Sequence, residues 1–189
     1  MTGPRDMPLL AWGDALRATK KLRARRRRIL TTAIAACLLA GVTIVVRPAP
    51  RLVWNASASA PRGLYAVTPG GIVGRGDRVI AWPPASARLL ADQRRYLPRT
   101  VPLVKTIAAV AGDRVCAPDA LILVEGRVAA RRLAADTAGR PMPWWRGCGV
   151  LRNGATLLLG DAPTSFDGRY FGPTSPTDLI GKATPLWVE

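Results

Sequence analysis

Lys105 lies in VPLVKTIAAVAGD and is the one charge between Arg99 and Asp113. Read as a strand, the segment puts it on one face with Leu103, Ile107 and Ala109. An ammonium buried there is costly, so its pKa is expected to fall. A lysine that is neutral near pH 7 can serve as a general base. The alternative is a lysine that snorkels out at a strand edge, and periodicity does not choose between the two. Ser57 and Ser59 lie in WNASASAPRGLY, on one side of an extended chain whose path Pro61 and Gly63 make non-helical. A serine held this way is a nucleophile if a base is near, and otherwise a polar linker residue. The third segment, GDAPTSFDGRYFGP at 160–173, gathers Asp161, Ser165, Asp167 and Arg169 among aromatics and turn formers. Asp167 and Arg169 could pair to stiffen a loop or take part directly.

Composition narrows the chemistry. The 189-residue chain has no histidine, which removes Ser-His-Asp triads, Cys-His dyads and His-based metal sites. Its three cysteines, at 37, 116 and 148, are too scattered for a zinc cluster, so no metal or cofactor is expected. Lys and Arg number 28 against 12 Asp and Glu, a formal charge of +16. Apolar residues at 49% are too many for a disordered basic tail, and 17 Pro with 18 Gly point to a turn-rich β domain.

The elements that must position these residues begin with an anchor. Residues 29–46, ILTTAIAACLLAGVTIVV, carry no charge and are bounded by Arg28 and Arg47. As a helix they reach about 27 Å, close to a bilayer core of about 30 Å. The apolar part of a cleaved signal peptide is shorter. Ala58-Ser59-Ala60 imitates a cleavage site, but it lies well past the apolar run and Pro61 follows it. An uncleaved transmembrane helix is expected. Lys20, Lys21, Arg23 and Arg25 to Arg28 precede it, so the positive-inside rule places residues 1–28 in the cytoplasm, against anionic lipid. Nucleic-acid binding would need a second recognition element, and none is found. Residues 47–189 form the exported domain, with a formal charge of +9. Cys116 and Cys148 both fall there and are expected to pair in an oxidising compartment, two separate thiols being the alternative. Cys37 lies in the span as a small apolar residue. Strands are expected at Gly63–Val67, Asp77–Trp82 and Pro102–Val110, in a hairpin at Leu121–Val124 and Arg127–Ala130, and at Ala155–Leu159 and Leu179–Val188. A short helix is expected within 85–96. The fold class is mostly β, one antiparallel domain hung from one helix.

Together the three segments resemble the type I signal peptidase superfamily of Ser-Lys proteases, and within it the TraF-type branch of conjugative-transfer maturation proteases. The resemblance rests on S-x-S-x-P-x-G-L-Y at 57–65 and G-D-x-V at 76–79. It continues with K-x-x-x-x-x-x-G-D at 105–113 and S-F-D-G-R-Y-F-G at 165–172. It implies that Ser59 is the nucleophile and Lys105 the neutral base. Ser57 would help form the oxyanion hole with the Ser59 N–H, and Ser165 would orient the amine. Asp167, implicated in activity in that branch, and Arg169 would be the supporting pair. Ala60 stands where general leader peptidases have Met, Pro61 comes only two residues after the nucleophile, and Thr106 stands where Arg is frequent. The first two departures agree with the TraF-type pattern and shift the expected substrate from secretory leaders to a propilin or other exported precursor. The implied setting is the bacterial inner membrane, single-pass, with the β domain in the periplasm. A non-catalytic anchored assembly factor binding an acidic partner is the competing reading.

Overall fold

The computed structural model describes residues 7–45 and 49–189, with their side chains except at 7–11 and 43–45. The expected span, 29–46, runs into that boundary, and its last residue lies outside the described residues. The chain divides into two units, before and after the Pro48–Ala49 junction. The first is helix α1, Met7–Val45, in which the basic run and the apolar run are one continuous helix. Leu, Ala, Arg and Lys dominate it, all strong helix formers. Ile29, Leu30, Ile34, Leu38, Leu39 and Val42 are exposed. No helix among the described residues is long and apolar enough to cross a membrane.

The second unit is β-rich. In chain order it holds β1 (Leu52–Asn55), β2 (Gly63–Pro69), β3 (Arg78–Ala81), helix α2 (Ala85–Gln93) and β4 (Leu103–Ala109). Then come β5 (Arg114–Cys116), β6 (Leu121–Val124), β7 (Arg127–Arg131), β8 (Cys148–Val150) and β9 (Leu157–Leu159). The short helix α3 (Gly168–Phe171) and β10 (Leu179–Val188) complete it. A six-stranded sheet has the order β1-β2-β10-β3-β4-β9 and a four-stranded sheet the order β7-β6-β5-β8, with every named pairing antiparallel.

Side-chain alternation explains the layering. On one face of the large sheet Tyr65, Val67, Ile80, Val104 and Ala183 form a core; on the other lie Val79, Ala81, Ile107 and Leu158. A third cluster joins Ala109, Leu157 and Leu159 of the large sheet to Val115, Ile122 and Val124 of the small one. The hairpin β6–β7 turns at Glu125 and Gly126, both at positive φ, as a two-residue connection matched to strand twist requires.

The expected strands form, with β2 extending to Pro69 and the last-but-one strand shortened to Leu157–Leu159. The helix expected within 85–96 ends at Gln93, because Arg95 takes a positive φ. Three short strands, β1, β5 and β8, are not among those expected from the sequence. Each has only three or four residues, too few for a period to stand out, and Pro and Gly flank them.

Cys116 and Cys148 are directly opposed in the β5–β8 register and form a disulfide. It closes a 32-residue segment containing β6, β7 and a long irregular stretch. In the chain-entropy account a loop of that length gives about 3–4 kcal/mol. The double substitution Cys116→Ser/Cys148→Ser is expected to lower unfolding stability by about that amount in denaturant titrations, and reduction of the wild type should do the same.

Candidate active site

Strand β4 determines the surroundings of Lys105. Lys105 pairs with Val79 of β3, and Val104 with Ile80. Val104 faces the Tyr65 core, so Lys105 turns to the opposite face with Ile107. Only 2% of Lys105 is exposed, which settles the choice between a buried amine and a snorkelling one. Nζ donates to Ser165 Oγ at 2.6 Å. Burial pushes the amine pKa down to about 8; Asp167 pulls it up, Arg169 pushes it down, and Asp161 pulls it up. Neutral Lys105 near pH 7 is therefore the minor form, about one molecule in ten.

Ser57 and Ser59 occupy the turn that joins β1 to β2. Their hydroxyls meet at 2.7 Å, and Ser59 Oγ reaches Val104 O at 3.5 Å. Ser59 is buried, whereas Ser57 is exposed. The organiser of this turn is Asn55, at the end of β1. Its Nδ2 reaches the carbonyls of Ser57 (2.9 Å), Ala60 (3.0 Å) and Pro61 (3.1 Å). Its Oδ1 accepts from Ser57 N (3.2 Å) and Ser57 Oγ (3.0 Å). Tyr65 OH adds a bond to Pro61 O at 2.7 Å. Asn55 is 5% exposed, so a polar side chain is placed inside because the turn's carbonyls need a donor there.

The third segment closes over the amine. Asp161 N donates to Ser59 O at 2.9 Å, tying this loop to the serine turn. Asp167 is fully buried and caps α3: Oδ1 accepts from Arg169 N (3.0 Å), and Oδ2 accepts from Gly160 N (2.7 Å). Arg169 donates from Nε to Asp167 Oδ1 (2.9 Å), from Nη1 to Pro163 O (2.8 Å) and from Nη2 to Gly160 O (2.7 Å). The pair is thus a clamp on the loop at Gly160 and Pro163. Gly160 must be glycine: a Cβ there would lie 2.2 Å from Ser165 Oγ and 3.1 Å from Lys105 Nζ.

Ser57, Ser59, Lys105 and Ser165 line one cleft of about 530 Å³. Asp167 and Arg169 lie behind its wall and do not line it. Sequence reasoning missed three contributors. Asn55 stands out in the sequence only as part of an Asn-Ala-Ser glycosylation pattern, although its place just before the serine segment was available. Gly160 follows an apolar LLL run, a signal of a sharp exit from a strand. Trp145 donates Nε1 to Gly168 O at 2.9 Å and packs on the small sheet's core, bracing α3 from behind. Nothing local in the sequence marks it.

Residues 25–188 match the family described as signal peptidase, peptidase S26. The conjugal transfer protein TraF of Agrobacterium fabrum (strain C58 / ATCC 33970) is 31% identical over 174 residues, covering 87% of this chain and 98% of that protein. A plasmid transfer protein TraF of Escherichia coli is likewise 31% identical over 174 residues, covering 84% of this chain and 97% of its own length. A solved signal peptidase I of Enterococcus faecalis V583 covers 60% of this chain and 98% of its own at 18% identity, with a TM-score of 0.36.

The depressed amine has a consequence for stability. Lys105 titrates near 8 in the folded protein, against 10.5 for an unperturbed lysine. Between those values the unfolded chain binds more protons, so stability rises with pH; below pH 8 the penalty is full and constant. Lys105→Met is expected to stabilise the fold by about 3 kcal/mol at neutral pH. That gain should shrink to nothing as denaturation is followed up to pH 10.5. A constant gain across the range would refute the buried-charge account.

Proposed function

The chain belongs to the signal peptidase family, peptidase S26, and we propose that it is a membrane-anchored serine endopeptidase working through Ser59 and Lys105. The observation that carries this reading is a buried amine, bonded to Ser165, in the same cleft as a buried serine held in a rigid turn. Among the described residues the cleft offers no other buried base beside a serine hydroxyl.

The chemistry is acyl transfer. Neutral Lys105 Nζ takes the Ser59 proton as Oγ bonds to the scissile carbonyl carbon. The oxyanion is held by the Ser57 hydroxyl and the Ser59 N–H, each such donor being worth roughly 3 kcal/mol. Lys105 returns the proton to the leaving amine as the C–N bond breaks. A water, deprotonated by the same amine, then resolves the ester. If the amino end of the same substrate attacks in place of water, the product is a cyclic peptide. Ser165 accepts one N–H and so aims the lone pair; Asp167 and Arg169 hold the loop that carries it. The likeness to TraF transfer proteins supports a precursor of a conjugative transfer system, such as a propilin, as substrate.

Anchoring belongs to the same reading. Residues 29–46 supply the uncharged run, and the basic residues before it set a cytoplasmic amino end, with residues 47–189 in the periplasm. Exposed Trp54, which lines the cleft, stacks on exposed Trp187 with ring centroids 5.7 Å apart, a composition suited to a lipid interface. Protease added outside the inner membrane is expected to cut after Arg47 and leave residues 1–28 protected. A mature chain beginning near Pro61 would overturn both the anchor and the nucleophile.

Ser59→Ala and Lys105→Ala are each expected to abolish precursor cleavage in folded protein, with the double variant barely worse than either. Ser57→Ala should lose roughly 100-fold through one oxyanion donor. Activity should rise with pH to a plateau, with its midpoint near 8, as Lys105 gives up its proton. Near wild-type cleavage by Lys105→Ala, or a flat acid limb, would sink the mechanism. A non-catalytic assembly factor would give neither loss.

A further inference from the structure

The cleft of about 530 Å³ is sized to enclose much of a drug-sized ligand. Away from the serines and Lys105, its walls include Leu97, Val101, Leu133, Met142 and Phe166. Leu133 and Val101 keep 41% and 37% of their surface exposed, apolar area that the fold itself does not cover.

One end of the cleft is closed by a tight turn at 135–141. Asp136 N donates to Arg140 O at 2.9 Å, Gly139 N to Asp136 O at 3.0 Å, and Ala135 bridges Pro141. Asp136 is its hub. Its carboxylate accepts from Tyr96 OH, from Arg140 Nε (2.7 Å) and from the backbone N–H groups of Ala138 (2.9 Å) and Arg140 (2.8 Å). Those bonds, the Tyr96 hydroxyl first, hold the carboxyl far below the ordinary carboxylate range. Two further bonds tie the turn to the chain after α2: Arg94 Nη1 to Pro141 O (3.0 Å) and Arg140 Nη2 to Arg94 O (3.3 Å). That chain carries Leu97 and Val101, which line the same cleft. The carboxylate's acceptor sites are occupied within the protein, so it acts as a latch between two apolar walls and not as a receptor for a basic residue.

We propose that this latched end of the cleft is a subsite for one bulky apolar side chain of the precursor, with its width fixed by the Tyr96–Asp136–Arg140 contacts. The inference deepens the endopeptidase reading and rests on it: the substrate would carry a large aliphatic or aromatic residue at one fixed distance from the scissile bond.

The test uses the full chain in detergent micelles and fluorescent peptides. The parent peptide has alanine throughout, and leucine or aspartate is scanned along it. Binding is read by anisotropy on the Ser59→Ala protein, so turnover does not enter. At one position leucine should tighten binding at least about tenfold over alanine, and aspartate should not. Leu133→Asp and Val101→Asp should each bring the leucine-to-alanine ratio close to one. Val128→Asp, an exposed apolar position on β7 away from the cleft, should leave it unchanged. Tyr96→Phe should reduce the ratio while improving tolerance of tryptophan at the same position. The subsite is refuted if leucine outbinds alanine nowhere, or if the ratio survives both cleft substitutions. Failure of the wild type to cut any of the peptides would count against the endopeptidase reading, and the binding ratio would still decide the subsite.

Discussion

A lysine amine removed from water must find partners or give up its proton, and Lys105 lies between those outcomes. It has one short bond, to Ser165, in a site where burial dominates. Asp167 alone beside it would make an ion pair and keep it charged. Arg169 prevents this by binding the same carboxylate, while Gly160 N takes its other oxygen. The two opposite charges act on Lys105 in opposite directions, which leaves desolvation as the largest influence on its pKa. The neighbouring strands can be read as the means of keeping that amine dry: β3 and β9 flank β4, and Gly160 leaves β9 directly against it.

The excursion between β7 and β8 steadies α3, which follows the Ser165 loop. Trp145 bonds Gly168 O, and Leu133 N donates to Tyr170 OH, so α3 is gripped at both ends. The irregular stretch between β7 and β8 that supplies those residues is itself pinned. Arg132, 4% exposed, donates to the carbonyls of Trp145, Ala117 and Asp119 and stacks on Trp144. The disulfide closes the base of the same excursion. Rigidity therefore runs from a covalent tie, through a buried arginine, to the cap of a four-residue helix. A short helix of that kind has little stability of its own.

What was legible in the sequence followed from pattern. The β4 run VPLVKTIAA marks a buried strand and makes its one charge conspicuous, and SFDGRYFG marks a loop stiffened by its own Asp and Arg. The Cys116–Cys148 pairing is the one expected if both cysteines share an exported compartment. What escaped depends on partners distant in sequence. Trp145 meets Gly168 only after the small sheet has folded, and Tyr96 meets Asp136 across 40 residues. Asn55 was visible as a residue but not as a donor to three carbonyls, because the turn that presents them is irregular. A buried lysine was one of two readings of the β4 pattern, and it is the one the fold adopts. Its pKa falls below the ordinary lysine value, as that reading expects, with burial the largest cause.

The resting hydroxyls point to one last constraint. Ser57 donates to Asn55 Oδ1, and its oxygen also lies 2.7 Å from Ser59 Oγ. With the Ser57 proton on Asn55 Oδ1, the short contact is a donation from Ser59 to Ser57, so the buried Ser59 proton is paired. On the proposed mechanism, a peptide carbonyl arriving as acceptor competes with Asn55 Oδ1 for the Ser57 proton. The fixed framework is then Asn55, Gly160 and the Asp167–Arg169 clamp, while a single hydroxyl rotor is left free to respond.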